Sequence, residues 1–479
     1  MRKFVLYIIL LVAISANLYA SHRSALVQED VSKALYDVFH LDEQSFNNSI
    51  TKVHDKAMVA YLKEYKAMLD YAAENMPSRY EKYMEASDFA LSKVTKHKYA
   101  ENLRANLLLH RCLVEMSCGN MITSGIQFYK SFKAFRAGEK KYKEYEGQLM
   151  LRGIFNIILS QVPEKWKSLA GFFFDKGDLQ QGFKEINTYR NIMVGVPGAY
   201  EESLLLSFAN LFLSHEQRLD SDLAQKMSSS TSPAVMYVYI LSNGRKQRGA
   251  VAEAALDSIP GYMFERYPLL IHQLSKYALR RLDADECIKQ ADRFIKVYRG
   301  VACLNDAYLM KAYAYALKGD YKKRREMAME TIRLSSDFDI DERSRDDARR
   351  IMDTLDVTLL KSRLHFEYGN YKESRAALVG YVPQKGDEIE YHFRMGRCSD
   401  MLGEKNLAKQ YYRKTVQLAA KDVQFYGPYA AIYMADLFIA EGNKTEAMKW
   451  LLKSKELNDG EHSKEIDQRI AVTKRKIED

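Results

Sequence analysis

Gly319-Asp320-Tyr321, Gly369-Asn370-Tyr371, Gly403-Glu404-Lys405 and Gly442-Asn443-Lys444 punctuate residues 302–457, each standing between two helix-length apolar segments. The glycines lie 50, 34 and 39 residues apart, and the spacing of 34 matches the period of the tetratricopeptide helix-turn-helix unit. Glycine at such a turn supplies a backbone conformation that is costly for other residues. In the third unit Met395-Gly396 sets a large residue before a small one, so that a neighbouring helix can approach closely. Ala408, Tyr412 and Leu418 then fall on the buried stripe of the following helix, and Ala435, Phe438, Ala447, Leu451 and Leu457 repeat the pattern in the fourth unit. The first unit keeps Tyr308, Ala312, Tyr315 and Leu334 but carries Arg324 where a small residue is expected, and the second carries Ser374 there.

Outward from this segment the same helical period continues. The chain has 479 residues, 47% of them hydrophobic, with only 8 prolines and 23 glycines. That length exceeds what one globular core supports, and the composition favours packed helices over loops or disorder. Within residues 52–159, Met58, Tyr61, Tyr65, Met68 and Leu69 share one stripe, Tyr80, Tyr83 and Phe89 a second, and Leu103, Leu107, Leu108 and Leu113 a third. Aromatics that follow the helical period read as core packing rather than as a cofactor box. Asn47-Asn48-Ser49 reads as a break, as do Gly195-Val196-Pro197-Gly198, residues 228–233, Ser242-Asn243-Gly244 and Ile259-Pro260-Gly261. The charged run 337–350 reads as a solvated helix extension with Asp346 and Arg350 paired. Residues 463–477 read as a polar helix that closes the end of the array. The fold expected is all-α: a helical-repeat solenoid of helix-turn-helix hairpins with C-terminal tetratricopeptide repeats. Its parts are an N-terminal hairpin region (21–300), the repeat region (301–458) and a capping helix (459–479).

Gly125-Ile126-Gln127-Phe128, Gly153-Ile154-Phe155-Asn156-Ile157-Ile158-Leu159-Ser160-Gln161-Val162-Pro163, Gly171-Phe172-Phe173-Phe174 and Gly177-Asp178 form a further set of signals. Together they resemble the tetratricopeptide repeat protein 39 and inclusion-body-clearance family, and the likeness continues weakly through residues 308–320 and the later repeats. The resemblance implies an all-helical scaffold or adaptor without catalytic residues. The export signal and short N-terminal part depart from that family. Read physically, Phe155, Ile158 and Leu159 form a buried helix face that Pro163 terminates, and Gly171 and Gly177 permit close backbone approach.

Arg2-Lys3, an apolar run over residues 4–14 and the small and polar residues before Ser21 have the order of a secretory leader (1–20) cleaved after Ala20. The run is short for a spanning helix, and the absence of cysteine before Cys112 excludes lipoprotein anchoring. An exported, periplasmic or cell-envelope location follows as the expectation. Losing Arg2 and Lys3 with the leader takes the formal charge from +9 to +7. Basic clusters such as residues 130–143 are diluted by acids or aromatics and read as solvated faces, which argues against nucleic acid as a partner. Peripheral membrane association stays compatible with them. The five cysteines include no Cys-x-x-Cys pair and read as small buried residues. A Cys112–Cys118 bridge requires the helix to end before Gly119.

No phosphate-binding loop, nucleophile elbow or His-Glu-x-x-His motif occurs, and the ten histidines are scattered. The expectation is therefore a non-enzyme without cofactor or metal. Carried across the repeat frame, Tyr313, Arg363, Arg397 and Asp436 share one position facing a groove, with Phe366 and Asp400 one turn on. Arg363 and Arg397 are 34 residues apart and should point the same way. A scaffold that binds a protein or peptide along this groove is the leading reading. The alternative is a carrier of an apolar ligand such as a lipid in the aromatic-rich N-terminal half.

Overall fold

The protein is all-α and built of helical repeats in a computed structural model that describes residues 25–143, 145, 147–160, 176–193, 221–335, 339–384, 386–420, 424–458, 460 and 462–478. Among these residues no strand occurs. Helices run from α1 (Ala25–Phe39) through α2 (Glu43–Ile50), α3 (Lys56–Glu74), α4 (Pro77–Lys93), α5 (Ala100–Ser117), α6 (Met121–Lys141) and α7 (Gly147–Ser160) to α8 (Leu179–Ile192). Then follow α9 (Ser221–Ser228), α10 (Pro233–Arg245), α11 (Gly249–Asp257), α12 (Gly261–Arg266), α13 (Leu269–Arg280), α14 (Ala284–Val297), α15 (Leu304–Leu317) and α16 (Tyr321–Arg333). The last are α17 (Asp339–Ile351), α18 (Val357–Tyr368), α19 (Tyr371–Ala376), α20 (Glu388–Met401), α21 (Lys405–Ala419), α22 (Tyr426–Ala440), α23 (Lys444–Glu456) and α24 (Ser463–Glu478). Two compact units form: one from residues up to Lys276 with Cys287–Lys311 and Glu326–Arg349, the other from Tyr277–Glu286, Ala312–Arg325 and Arg350–Asp479.

One turn recurs at eight places among the described residues. Leu41, Gly119, Gln247, Leu282, Gly319, Gly369, Gly403 and Gly442 all adopt left-handed φ values between 51° and 103°. In each, the N–H of that residue donates to the carbonyl three residues back, and the next N–H donates to the carbonyl five residues back. Gly403 reaches Asp400 at 3.0 Å and Glu404 reaches Ser399 at 2.9 Å; Leu282 reaches Leu279 and Asp283 reaches Ala278, both at 2.9 Å. These bonds satisfy carbonyls that a helix end would otherwise strand. Five residues past the turn a buried side chain begins the packing of the next helix in all eight cases: Phe46, Ser124, Ala252, Cys287, Arg324, Ser374, Ala408 and Ala447. The repeat is thus present in both units and is not confined to residues 302–457. A leucine or glutamine in three of the four additional turns hides the glycine signal that the sequence offers elsewhere.

The side chain at that fifth position explains how each pair closes. Ser124 Oγ donates to the Cys112 carbonyl at 2.9 Å, and Ser374 Oγ donates to the Ser362 carbonyl at 2.7 Å. A small hydroxyl therefore bonds the backbone of the preceding helix and lets the two approach. Arg324 breaks the small-residue rule but is buried too, and its Nη2 donates to the carbonyls of Met352 and Asp353 at 3.2 and 3.3 Å. In the third pair a Cβ on Gly396 would lie 2.7 Å from the Tyr412 ring. The Gly403 turn permits a clean test, because a Cβ added there meets nothing within 4 Å. Gly403→Ala should still cost about 1–2 kcal/mol of local stability, from the left-handed backbone alone. Hydrogen exchange of α20 and α21 measures it, and an unchanged rate would contradict the turn's role.

Several expectations from the sequence need correction. Asn47-Asn48-Ser49 lies inside α2, which is capped by the Asp42 carboxylate, so the break falls after Ile50. Ser242-Asn243-Gly244 forms the last turn of α10, and the chain turns at Gln247 instead. Phe89 is exposed, with the Lys93 ammonium 4.9 Å from its ring centre, while Tyr83 of the same helix is fully buried. Ile158 and Leu418 are half-buried rather than core residues. The run 337–350 is no solvated extension. It contains α17, whose Asp341, Ser344 and Ala348 are buried. Asp341 accepts from the Cys303 N–H at 3.2 Å, and Ser344 donates to Asp306 at 3.2 Å. Asp346 pairs with Arg349, and Arg350 instead stacks over Phe425.

Cys112 and Cys118 are both free thiols, Cys112 being 3.3 Å from the Ser124 hydroxyl. Gly177 does sit against backbone, since a Cβ there would fall 2.3 Å from the Ser160 nitrogen. Residues 1–20, expected to form a leader, Pro163, residues 171–174 and residues 195–198 lie outside the described residues.

Candidate functional site

The helices α18, α20 and α22 are the first members of consecutive pairs in the second unit. Ile389, Met395, Gly396, Cys398 and Ser399 of α20 turn into the packing. Helical spacing then leaves Glu390, Phe393, Arg394, Arg397 and Asp400 along a different face, and Arg363 and Phe366 occupy the matching face of α18. Arg363 stands on α18 and Arg397 on α20, the first helices of successive pairs.

Arg397 is the centre of that set. Its guanidinium carbon lies 3.7 Å from the Tyr433 ring centre and 5.0 Å from that of Phe366. The side chain is 13% exposed. Burial works against its charge, yet the tyrosines Tyr433 and Tyr412 and the Asp400 carboxylate outweigh burial and raise its pKa. Asp400 stands 3.6 Å away, beyond hydrogen-bond range, and accepts from the Tyr412 hydroxyl at 3.0 Å. Burial in turn pushes the Asp400 carboxyl up. A second guanidinium, that of Arg469 in α24, lies 4.9 Å from the same Tyr433 ring centre.

Arg363 is held differently. Its Nε donates to Glu367 at 2.8 Å and its Nη1 donates to the Tyr313 hydroxyl at 3.2 Å. Glu367 also stands 3.5 Å from Arg280, whose guanidinium covers Tyr277 at 5.3 Å. On α20 the Glu390 carboxylate accepts from Arg394 Nε at 2.7 Å. Burial would raise the Glu390 pKa, but Arg394 and the Tyr426 hydroxyl reverse this and hold it low. Arginines, acids and rings thus alternate along one face, each cation braced by a ring or a carboxylate.

The other expected positions are placed less simply. Tyr313 is buried, and its hydroxyl serves Arg363 from beneath rather than facing outward. Asp436 is taken up by α24, with Lys476 Nζ at 2.9 Å and Arg469 at 3.8 Å. The Phe366 ring centre lies 5.0 Å from the Arg397 guanidinium carbon and 5.2 Å from the Tyr371 ring centre. Sequence reasoning missed Tyr433, Arg394, Glu390, Glu367 and Arg469. The available signals were the i,i+4 pairs Glu390–Arg394 and Arg363–Glu367.

Fold and face together define a helical-repeat protein that presents a braced row of arginines and aromatic rings. No protein-family model matches the chain, and no curated protein does. Among the described residues no group of three or more His, Cys, Asp or Glu side chains is placed to hold a metal ion.

Proposed function

We propose that this chain is an exported, non-catalytic scaffold or adaptor of the tetratricopeptide type, which binds a protein or peptide segment along the face built by α18, α20 and α22. The carrying observation is Arg397, whose guanidinium is held against the Phe366 and Tyr433 rings while the carboxylate paired with it, Asp400, stands 3.6 Å away. A planar guanidinium immobilised on rings has little entropy left to lose on binding and can offer two parallel N–H donors to a carboxylate. Phe366 adds apolar contact beside it. The ligand this chemistry suits is a peptide carrying a C-terminal carboxylate or an acidic side chain next to an apolar residue. The leader-like residues 1–20 support export, and the family resemblance supports the adaptor role.

Selection of random displayed peptides on the immobilised full chain tests the proposal. Enrichment of ligands with a free C-terminus or Asp/Glu beside an apolar residue is expected. Enrichment of cationic ligands, or of none, would contradict it.

A further inference from the structure

Helix α6 in the first unit carries two seams of different character. Ser124, Ser131 and Gly138, each seven residues apart, face α5: Ser124 and Ser131 donate to the carbonyls of Cys112 and Ala105, and a Cβ on Gly138 would fall 2.4 Å from Asn102. The outward stripe is Ile122, Ile126, Tyr129, Lys133, Arg136 and Lys140, residues alternately four and three apart and hence aligned on one side of the helix. All six are exposed. Ile122 is 83%, Ile126 49% and Tyr129 41% exposed, and Met121 beside them 57%. The stripe is therefore divided along its length, apolar in the first turns and cationic in the last, with tyrosine at the junction. Lys130 and Lys141 flank its basic part, and Glu139 is the one acid of the helix, already engaged by Arg136 and Arg152.

We infer that this stripe is a docking surface for an anionic lipid bilayer, lying in the interface with its first turns inserted. Two isoleucines and a methionine left in water by a folded helix gain by entering the acyl boundary. Tyrosine suits the headgroup level, and lysine stems let their ammonium groups reach phosphates while covering apolar surface. The helix has five cationic residues and one acid, so a second copy packed parallel on this stripe would set like charges together, and one packed antiparallel with the stripes in register would oppose its lysines to isoleucines. Charge complementarity selects an anionic surface instead. Among the described residues no helix is long and apolar enough to cross a membrane, which leaves α6 a surface element. The inference is independent of the peptide-binding face.

Co-sedimentation of the full chain with phosphatidylcholine vesicles, with and without phosphatidylglycerol, is the experiment. Binding should require phosphatidylglycerol and weaken with salt. Ile122→Ser/Ile126→Ser and Lys133→Glu/Lys140→Glu should each lower it roughly tenfold or more, with circular dichroism unchanged because these side chains are exposed. Tyr129→Trp reports this helix alone, whatever the N-terminal apolar run does, and its added emission should be quenched by brominated lipid. Partitioning indifferent to both double variants, or an added tryptophan that brominated lipid fails to quench, would overturn the inference. So would a dimer abolished by Ile122→Ser/Ile126→Ser in a chain that ignores anionic vesicles, since a second copy would then be the occupant.

Discussion

Replacing Tyr412 by alanine should destabilise the α20–α22 region by about 3–5 kcal/mol, the range for truncating a large buried aromatic residue. Tyr412 is fully buried in a cluster with Ala408, Val416, Ala430, Ala431, Met434 and Leu437. Its ring lies against the bare Cα of Gly396 and 5.8 Å from Tyr433. Truncation would open a cavity that glycine cannot fill. It would also remove the hydroxyl that donates to Asp400, beside the arginine that defines the proposed binding face. Tyr412→Phe separates these effects: the ring stays and only a hydrogen bond to a carboxylate is lost, worth about 1.5–3 kcal/mol. In a repeat protein the loss is local rather than global, so hydrogen exchange of α20, α21 and α22 is the measurement. Equal protection in wild type and Tyr412→Ala would show that the pair does not depend on this contact.

The second large effect lies in the other unit. Glu64 of α3 and His110 of α5 form a pair with both side chains wholly buried, His110 Nδ1 standing 2.8 Å from the Glu64 carboxylate. Tyr65 stacks on the imidazole at 5.1 Å. Removing one partner of such a pair leaves an uncompensated polar group in the core, so His110→Ala should cost about 3–5 kcal/mol. Replacing both by leucine should be far less harmful than either single change, because no unpartnered buried polar group then remains. Denaturant midpoints and exchange in α3 and α5 read this. Additive penalties in the double variant would mean that the two groups are not coupled.

The legible part of the fold was the part written in glycine. Where Gly319, Gly369, Gly403 and Gly442 mark the turn, backbone chemistry alone betrays it, since few other residues tolerate that φ. Where Gln247 or Leu282 adopts the same conformation, the surrounding packing imposes it, and no local signal survives. The charged α17 hides its packing for a related reason: its buried face includes Asp341 and Ser344, whose bonds to Cys303 and Asp306 depend on partners far along the chain. Periodicity counts apolar residues and is blind to a polar face that finds its bonds.

At the candidate face the spacing of 34 corresponds to Arg363 on α18 and Arg397 on α20, the first helices of successive pairs. It could not say which neighbours brace them. Tyr313 proved to be a buried support, and Asp436 is neutralised by Arg469 and Lys476 of a terminal helix that the sequence presents only as polar.

The central claim is that the braced arginines of α18 and α20 capture a carboxylate. Its most direct test is a titration of a selected carboxylate-bearing peptide against the full chain, Arg363→Ala, Arg397→Ala and the double variant, with helicity followed in parallel. Loss of a charge-assisted bond costs about 1.5–3 kcal/mol, so each single change should weaken binding by roughly tenfold or more, with the peptide amide of the same sequence binding weakly to all four proteins. Undiminished affinity in the three variants, with helicity intact, would contradict the account.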